Sequence, residues 1–190
     1  MSWSAESSDE ELMLLYRDGD ASAFDALYAR HRGGLYRYLL RQCRNQALAE
    51  ELFQDVWMNL IRARSSYTVQ AKFTTYLYRL AHNRFVDHYR KQGHVELESF
   101  DAEDGPVLEE LADDRNPPPA AAYDAKRQAA ELLSLITELP PTQREAFLLQ
   151  QEGGMSVEEI AATTGVSRET AKSRLRYAIA KLRQGMSKWH

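Results

Sequence analysis

The sequence predicts an all-α protein: two small helical domains joined by an acidic, proline-containing linker, the second holding a helix-turn-helix. Three observations carry this. Apolar residues recur at helical spacing on both sides of the middle of the chain. The stretch between them, HVELESFDAEDGPVLEELADDRNPPPAA, is acidic, poor in large apolar residues, and carries near its end the triplet Pro117–Pro118–Pro119, which stops helices and favours extended chain. Beyond it, serines and glycines punctuate short apolar-periodic segments as helix caps do. The expected organisation is a domain over 8–94, a tether over 95–122 and a domain over 123–188.

Composition limits the classes available. The chain has 190 residues, 44% apolar and 27% charged, which is ordinary for a globular protein and excludes a mainly disordered chain. No apolar run approaches the length of a membrane span. The start, MSWSAESSDEE, has neither the basic nor the apolar region of a secretory signal. Cys43 stands alone, so neither an internal disulfide nor a cysteine-rich metal site is expected. Cytoplasm is the compartment these features fit.

The net charge of −4 argues at first against nucleic acid, but it hides blocks of opposite sign. Residues 1–60 hold 6 basic and 10 acidic side chains, and 61–94 hold 7 basic and 1 acidic, a balance of +6. Residues 95–125 hold 1 basic and 10 acidic, a balance of −9, and 126–167 hold 3 basic and 6 acidic. Residues 168–190 return to +6, with 7 basic groups against Glu169. Two basic surfaces therefore flank an acidic tether. Within a screening length of ~10 Å at moderate salt they attract it, which predicts a compact free form that binds DNA poorly.

In the first domain, Ser8 and Glu11 make a capping box, and Asp20 or Ser22 starts a second helix in which Gly33–Gly34 marks a kink. Residues 46–63 put Leu48, Leu52, Phe53, Val56, Trp57, Leu60 and Ile61 on one stripe and Glu51, Gln54, Asp55 and Met58 opposite. After a polar loop over 65–72, residues 73–91 bury Leu77, Ala81, Phe85 and Tyr89, and present Arg79, His82, Asn83 and Arg90 on the other side. Aromatic residues interleaved with cations suit unstacked nucleic acid. Tyr76, Phe85 and Tyr89 share the buried stripe and read as core, so Arg79, Asn83 and Arg84 are the better candidates for contact.

In the second domain, a helix over 124–138 stops at Pro140–Pro141, and a second, begun by Pro141 or Thr142, closes at Gly153–Gly154. Ser156, with Glu159 three residues on, caps a third. Gly165 turns the chain, Ser167 caps a fourth, and Ala171, Leu175, Ala178, Ile179 and Leu182 line its buried face. Ala161 allows close helix approach, and Ile160 and Val166 fill the angle. These are helix-turn-helix dimensions. The outer side presents Arg168, Lys172, Ser173 and Arg176, with Arg174 and Lys181 at the margin. Arginine reads guanine edges in the major groove, and lysine or serine holds phosphate.

No catalytic constellation emerges. His82 and His88 flank Asp87 but lie six apart, on different sides of a helix, and neither a phosphate-binding glycine loop nor a nucleophile elbow is present. No catalytic residue, metal or cofactor is expected, and the chain does not read as an enzyme.

Four blocks in order, AEELFQDVWMNLIR (49–62), FTTYLYRLAHNRFVDHYRK (73–91), LPPTQREAFLL (139–149) and SVEEIAATTGVSRETAKSRLRYAIAKLR (156–183), resemble the sigma-70 family of bacterial RNA polymerase, in its extracytoplasmic-function group. The resemblance implies an alternative sigma factor that binds core polymerase at clamp and flap and selects promoters. It places Glu51, Gln54, Asp55 and Met58 on the polymerase clamp. It places Lys72, Phe73, Thr74, Arg79, Asn83 and Arg84 at the melted −10 element, and Arg168, Glu169, Lys172, Ser173, Arg174 and Arg176 at the −35 element. Promoter DNA and an anti-sigma protein are the other implied partners. Tyr76 stands where the family often has Trp, and Gln70–Ala71 where it often has a Gly–acid pair, which implies a capture loop that prefers a different base or holds its base less firmly. The competing expectation is a helix-turn-helix regulator that binds duplex DNA without polymerase, usually as a dimer.

Overall fold

The structure, a computed structural model, describes residues 3–93 and 120–189. The regular structure of these residues is entirely helical, with no strand among them. Before the tether come α1 (Asp9–Arg17), α2 (Ala21–Cys43), α3 (Gln46–Ala63), a 3₁₀ turn (Arg64–Ser66) and α4 (Phe73–Lys91). After it come α5 (Ala120–Glu138), α6 (Pro141–Gln151), α7 (Val157–Thr164), α8 (Arg168–Gly185) and a closing 3₁₀ turn (Ser187–Trp189). None of these helices is long and apolar enough to cross a membrane. The tether, up to residue 119, lies outside the described residues. Helix α5 begins at Ala120, earlier than the sequence predicts, because alanines favour helix as soon as the prolines end.

Local chemistry sets the helix ends. Ser8 and Glu11 exchange side-chain and backbone bonds at α1, at 3.2 and 2.8 Å. At α2 the cap is Asp20, whose carboxylate accepts from Ser22 N and Ala23 N. Asn45 caps α3 through Leu48 N at 3.0 Å. Helix α4 is capped from a distance, since Phe73 N donates to Glu10 of α1 at 2.6 Å, placing a carboxylate at the positive helix end. Helices α1 to α4 close on Leu12, Leu27, Leu39, Leu52, Leu60 and Leu77, all fully buried. Trp57 meets Phe24 and Tyr28 edge-on at 5.8 and 5.1 Å. In the other half, α6, α7 and α8 enclose Leu149, Ile160, Ala171, Leu175 and Ala178.

One sequence expectation fails where the halves meet, and two glycines gain a role there. Helix α2 runs through Gly33–Gly34 without interruption. A Cβ at Gly34 would stand 2.8 Å from the Tyr78 hydroxyl, and one at Gly153 3.2 Å from Tyr78 Cγ, so these glycines let Tyr78 wedge between α2 and the end of α6. His82, expected on the polar side of α4, is 7% exposed, because α6 lies over it. Helix α6 packs on α2, and α7 on α4.

Polar pairs line this contact. Glu145 accepts from Tyr38 Oη at 3.1 Å and from His82 Nδ1. Glu152 accepts from Arg37 Nε and Nη2, both at 3.0 Å, and from Arg41 Nη1 at 3.4 Å. Thr75 Oγ1 donates to Glu159 at 3.1 Å, and Arg144 Nε donates to Gln42 at 3.4 Å. Among the described residues, most of these docking bonds are made by carboxylates of α6, its C-cap and α7: Glu145, Glu152 and Glu159.

Candidate nucleic-acid interface

The helix-turn-helix is assembled by local caps. Ser156 and Glu159 form a capping box at α7, with bonds of 3.2 and 2.7 Å. Gly165 ends that helix at φ 71°, its N–H returning to Ala161 O, a left-handed cap that glycine adopts without strain. Val166 N also returns to Ala161 O at 3.1 Å. Ser167 Oγ then accepts from Thr170 N at 3.1 Å to start α8. Ala171, Leu175, Ala178 and Leu182 are buried, so the remaining sides of α8 face solvent.

On those sides Arg168, Glu169, Lys172 and Arg176 are exposed, and Ser173 and Arg174 are half-buried. Arg168 is engaged already. Its Nε donates to Glu158 at 2.6 Å and its Nη1 to Glu169 at 3.4 Å. Bonding to the Arg168 guanidinium draws the Glu158 carboxyl below its usual range. Lys172 and Arg176, one helical turn apart, lie on one line. Tyr177, which the sequence reading passed over, is half-exposed. The Arg176 guanidinium sits 5.1 Å from its ring centre, a cation–π geometry that steadies the arginine. The signal in sequence was an aromatic beside an arginine on a polar helix face.

The second basic surface lies on α4 and the loop before it. Lys72, Arg79 and Asn83 are exposed and Thr74 is half-buried. Phe73 is fully buried, its ring 5.3 Å from that of His31, so its side chain belongs to the core and offers DNA no surface in this conformation. Arg84 turns away from Asn83 toward α3, where its Nε and Nη2 bond Asp55 Oδ2 at 2.9 and 2.7 Å. Of the six residues expected here, Lys72, Arg79 and Asn83 share open surface. In the loop, Tyr67 is buried, its ring 5.2 Å from that of Tyr76, and burial pushes its hydroxyl up to about 12. Beside it Val69 is half-exposed, an apolar tip the sequence reading left unused.

The third set lies on α3. Glu51, Gln54 and Met58 are exposed and Asp55 is half-buried against Arg84. Among the described residues, no group of three or more His, Cys, Asp or Glu is placed to hold a metal ion.

Family models decide what these surfaces belong to. Residues 27–95 match Sigma-70 region 2 and residues 129–182 match Sigma-70 region 4. Over 90% of this chain and 94% of its own length, the RNA polymerase sigma factor CarQ of Myxococcus xanthus is 34% identical. The chain belongs to the sigma-70 family, in its extracytoplasmic-function group. The ECF RNA polymerase sigma factor SigE of Mycolicibacterium smegmatis is 32% identical over 96% of this chain and 71% of its own. Two solved structures share the fold. CnrH, in complex with the cytosolic domain of CnrY, aligns at a TM-score of 0.63 and 23% identity over 96% of this chain and 99% of its own. RpoE of Bartonella quintana, in complex with the anti-sigma factor NepR, aligns at 0.66 and 21% over 88% and 98%. Region 2 thus carries α3, the loop and α4, and region 4 carries the helix-turn-helix.

Proposed function

We propose that this chain is an alternative sigma factor: it binds core RNA polymerase and directs initiation at promoters recognised through a −10 and a −35 element. The observation that carries the reading is the pairing of two family regions on one chain, each with its own basic surface. Its relatives are named RNA polymerase sigma factors, and a structural neighbour is bound to an anti-sigma factor, which makes such a protein the expected partner that silences it.

In this reading α8 enters the major groove. Lys172 and Arg176 reach base edges or phosphates, with Glu169, Ser173 and Arg174 at the borders, while Arg168 first exchanges Glu158 for phosphate. Arg79, Asn83 and Lys72 follow the phosphates of the melted −10 strand, Thr74 stands at the edge of that track, and exposed Val69 with half-buried Tyr76, backed by buried Tyr67, forms the apolar rim for an unstacked base. Glu51, Gln54, Asp55 and Met58 meet polymerase, with Arg84 holding Asp55 in place rather than reaching for DNA. The protein supplies recognition and polymerase supplies catalysis.

The test is run-off transcription. Added to core polymerase, the chain should convert silent templates carrying the cognate element pair into specific transcripts, and scrambling either element should abolish them. Tight duplex binding as a dimer, with no stimulation of core polymerase on genomic templates, would refute the reading in favour of a free-standing regulator.

A further inference from the structure

The contact between the two halves is built, not incidental. Gly34 lies inside an unbroken helix, where glycine costs about 1 kcal/mol relative to alanine, and it is there that Tyr78 needs room. Around Tyr78 the contact buries groups that a helix normally leaves in water: His82 at 7%, Glu145 at 4% and Arg144 at 3% exposure. Burying charges is costly unless each finds a partner. Glu145 finds two, the Tyr38 hydroxyl and His82 Nδ1. Of these, His82 is the side chain that changes charge near neutral pH.

We infer that His82 and Glu145 form a proton-operated latch: docking of the region 4 half on the region 2 half takes up one proton at His82, so acid holds the halves together and rising pH releases them. The groups facing the pair leave His82 as the titrating member. Helix α2 supplies Tyr38, Gln42 and Cys43. The Tyr38 hydroxyl is pushed well above its usual range by burial, and burial pushes the Cys43 thiol up to about 12, so both stay neutral. Helix α6 supplies Arg144, which burial lowers only to about 10, so it stays charged. On α4 itself, Arg90 opposes protonation of His82, and Tyr89 is held up near 12 by burial. Helix α7 brings Glu159, which bonds Thr75 two turns away, and α3 brings Asp55, occupied by Arg84.

The sign follows from the two states. Undocked, His82 lies on the polar side of α4 at the ordinary value near ~6.5. Docked, burial opposes the charge, but the adjacent carboxylate prevails and the imidazole is raised above its ordinary value. The contribution is complete below about 6.5 and is lost as pH rises through the raised docked value. For one proton, the docking equilibrium changes by at most about tenfold per pH unit across that window. The consequence for transcription rests on the sigma-factor reading: in acid the two promoter surfaces are held in one body, and a rise in pH frees them to engage elements far apart on DNA.

The experiment uses the full chain without polymerase, so that its failure is separable from failure of the run-off assay. Small-angle scattering from pH 5.5 to 8.5 at constant ionic strength should show a compact population that shrinks with pH, and His82→Gln should flatten that dependence while helicity by circular dichroism stays unchanged. A flat or inverted profile in the native chain, or an undiminished slope in His82→Gln, would overturn the latch. To separate loss of the switch from loss of docking in His82→Gln, the imidazole is also titrated by NMR in the native chain and in Glu145→Gln. His82 should titrate above the ordinary range in the first and fall back in the second, and ordinary titration in both would overturn the assignment.

Discussion

Glu152→Gln isolates the second polar contact between the halves. The carboxylate takes two bonds of 3.0 Å from Arg37 and a third of 3.4 Å from Arg41. The Glu152 and Arg41 side chains are 16% and 17% exposed, but Arg37 is 49% exposed. A fully solvated pair contributes about 0.2–1 kcal/mol, and a hydrogen bond to a charged group in a drier setting about 1.5–3. With one arginine half in water, the amide substitution, which keeps shape and loses charge, costs about 1–2 kcal/mol of docking. That is about a 5- to 30-fold shift toward the open form. The assay is energy transfer between dyes on cysteines placed at the exposed positions Asp25 and Arg183. Buried Cys43, its thiol held near 12, does not compete for label at neutral pH. Affinity for core polymerase should rise with the open fraction, because a partner that binds only the open form is weakened by the population it must recruit. A docked fraction within twofold of the native chain would refute the energetic reasoning. Opening without a gain in core affinity would refute the claim that docking opposes the holoenzyme.

Three further outcomes follow from the site geometry. Arg84→Ala and Asp55→Ala should lower affinity for core polymerase alike, with a coupling of about 0.5–1 kcal/mol in a double-mutant cycle; equal and additive losses would return Arg84 to the DNA surface. Lys172→Ala and Arg176→Ala should each weaken binding to a −35 duplex by about 1–3 kcal/mol if they read a base, measured by fluorescence anisotropy. Gly165→Ala meets no atom within 4 Å but forces a side chain into φ 71°, so it should cost about 1–2 kcal/mol and lower the thermal midpoint of the chain.

What the sequence made legible was what single helices decide. The spans 46–63 and 73–91 emerge as expected because their apolar stripes are regular and Asn45 and the polar loop bound them. The helix-turn-helix emerges because its capping box, its glycine and its second serine each have one local meaning. What misled was whatever depends on a neighbour. Phe73 opens α4 in a basic setting, yet its ring is taken by His31. Arg84 shares the basic helix with Asn83, yet a shift of one residue turns it toward Asp55. His82 looks solvated on α4 alone, and only α6 explains it. A partial signal existed: Glu145 and Glu152 stand seven apart, hence on one face of α6, and Glu145 sits among residues that bury.

The distribution of charge now has a different explanation from the one the segment balances suggest. The acidic surplus of residues 126–167, a source of attraction that the segment balances alone do not separate from the tether, reaches the first half directly. Of its six carboxylates, Glu145, Glu152 and Glu159 bond His82 and Tyr38, Arg37 and Arg41, and Thr75 in turn. None of these partners belongs to the exposed set Lys72, Arg79 and Asn83. Lys72 does feel the Glu159 carboxylate, but it, Arg79 and Asn83 remain exposed among the described residues, as do Lys172 and Arg176. A silent free state can then arise from geometry, with two reading heads fixed on one body, as an alternative to masking by acid. The two mechanisms differ in salt response. Masking by a solvated tether fades as the screening length shrinks below ~10 Å, whereas contacts as buried as Glu145 with His82 are screened far less. Compaction of the free chain that survives high salt at low pH, and opens at high pH, would distinguish the second from the first.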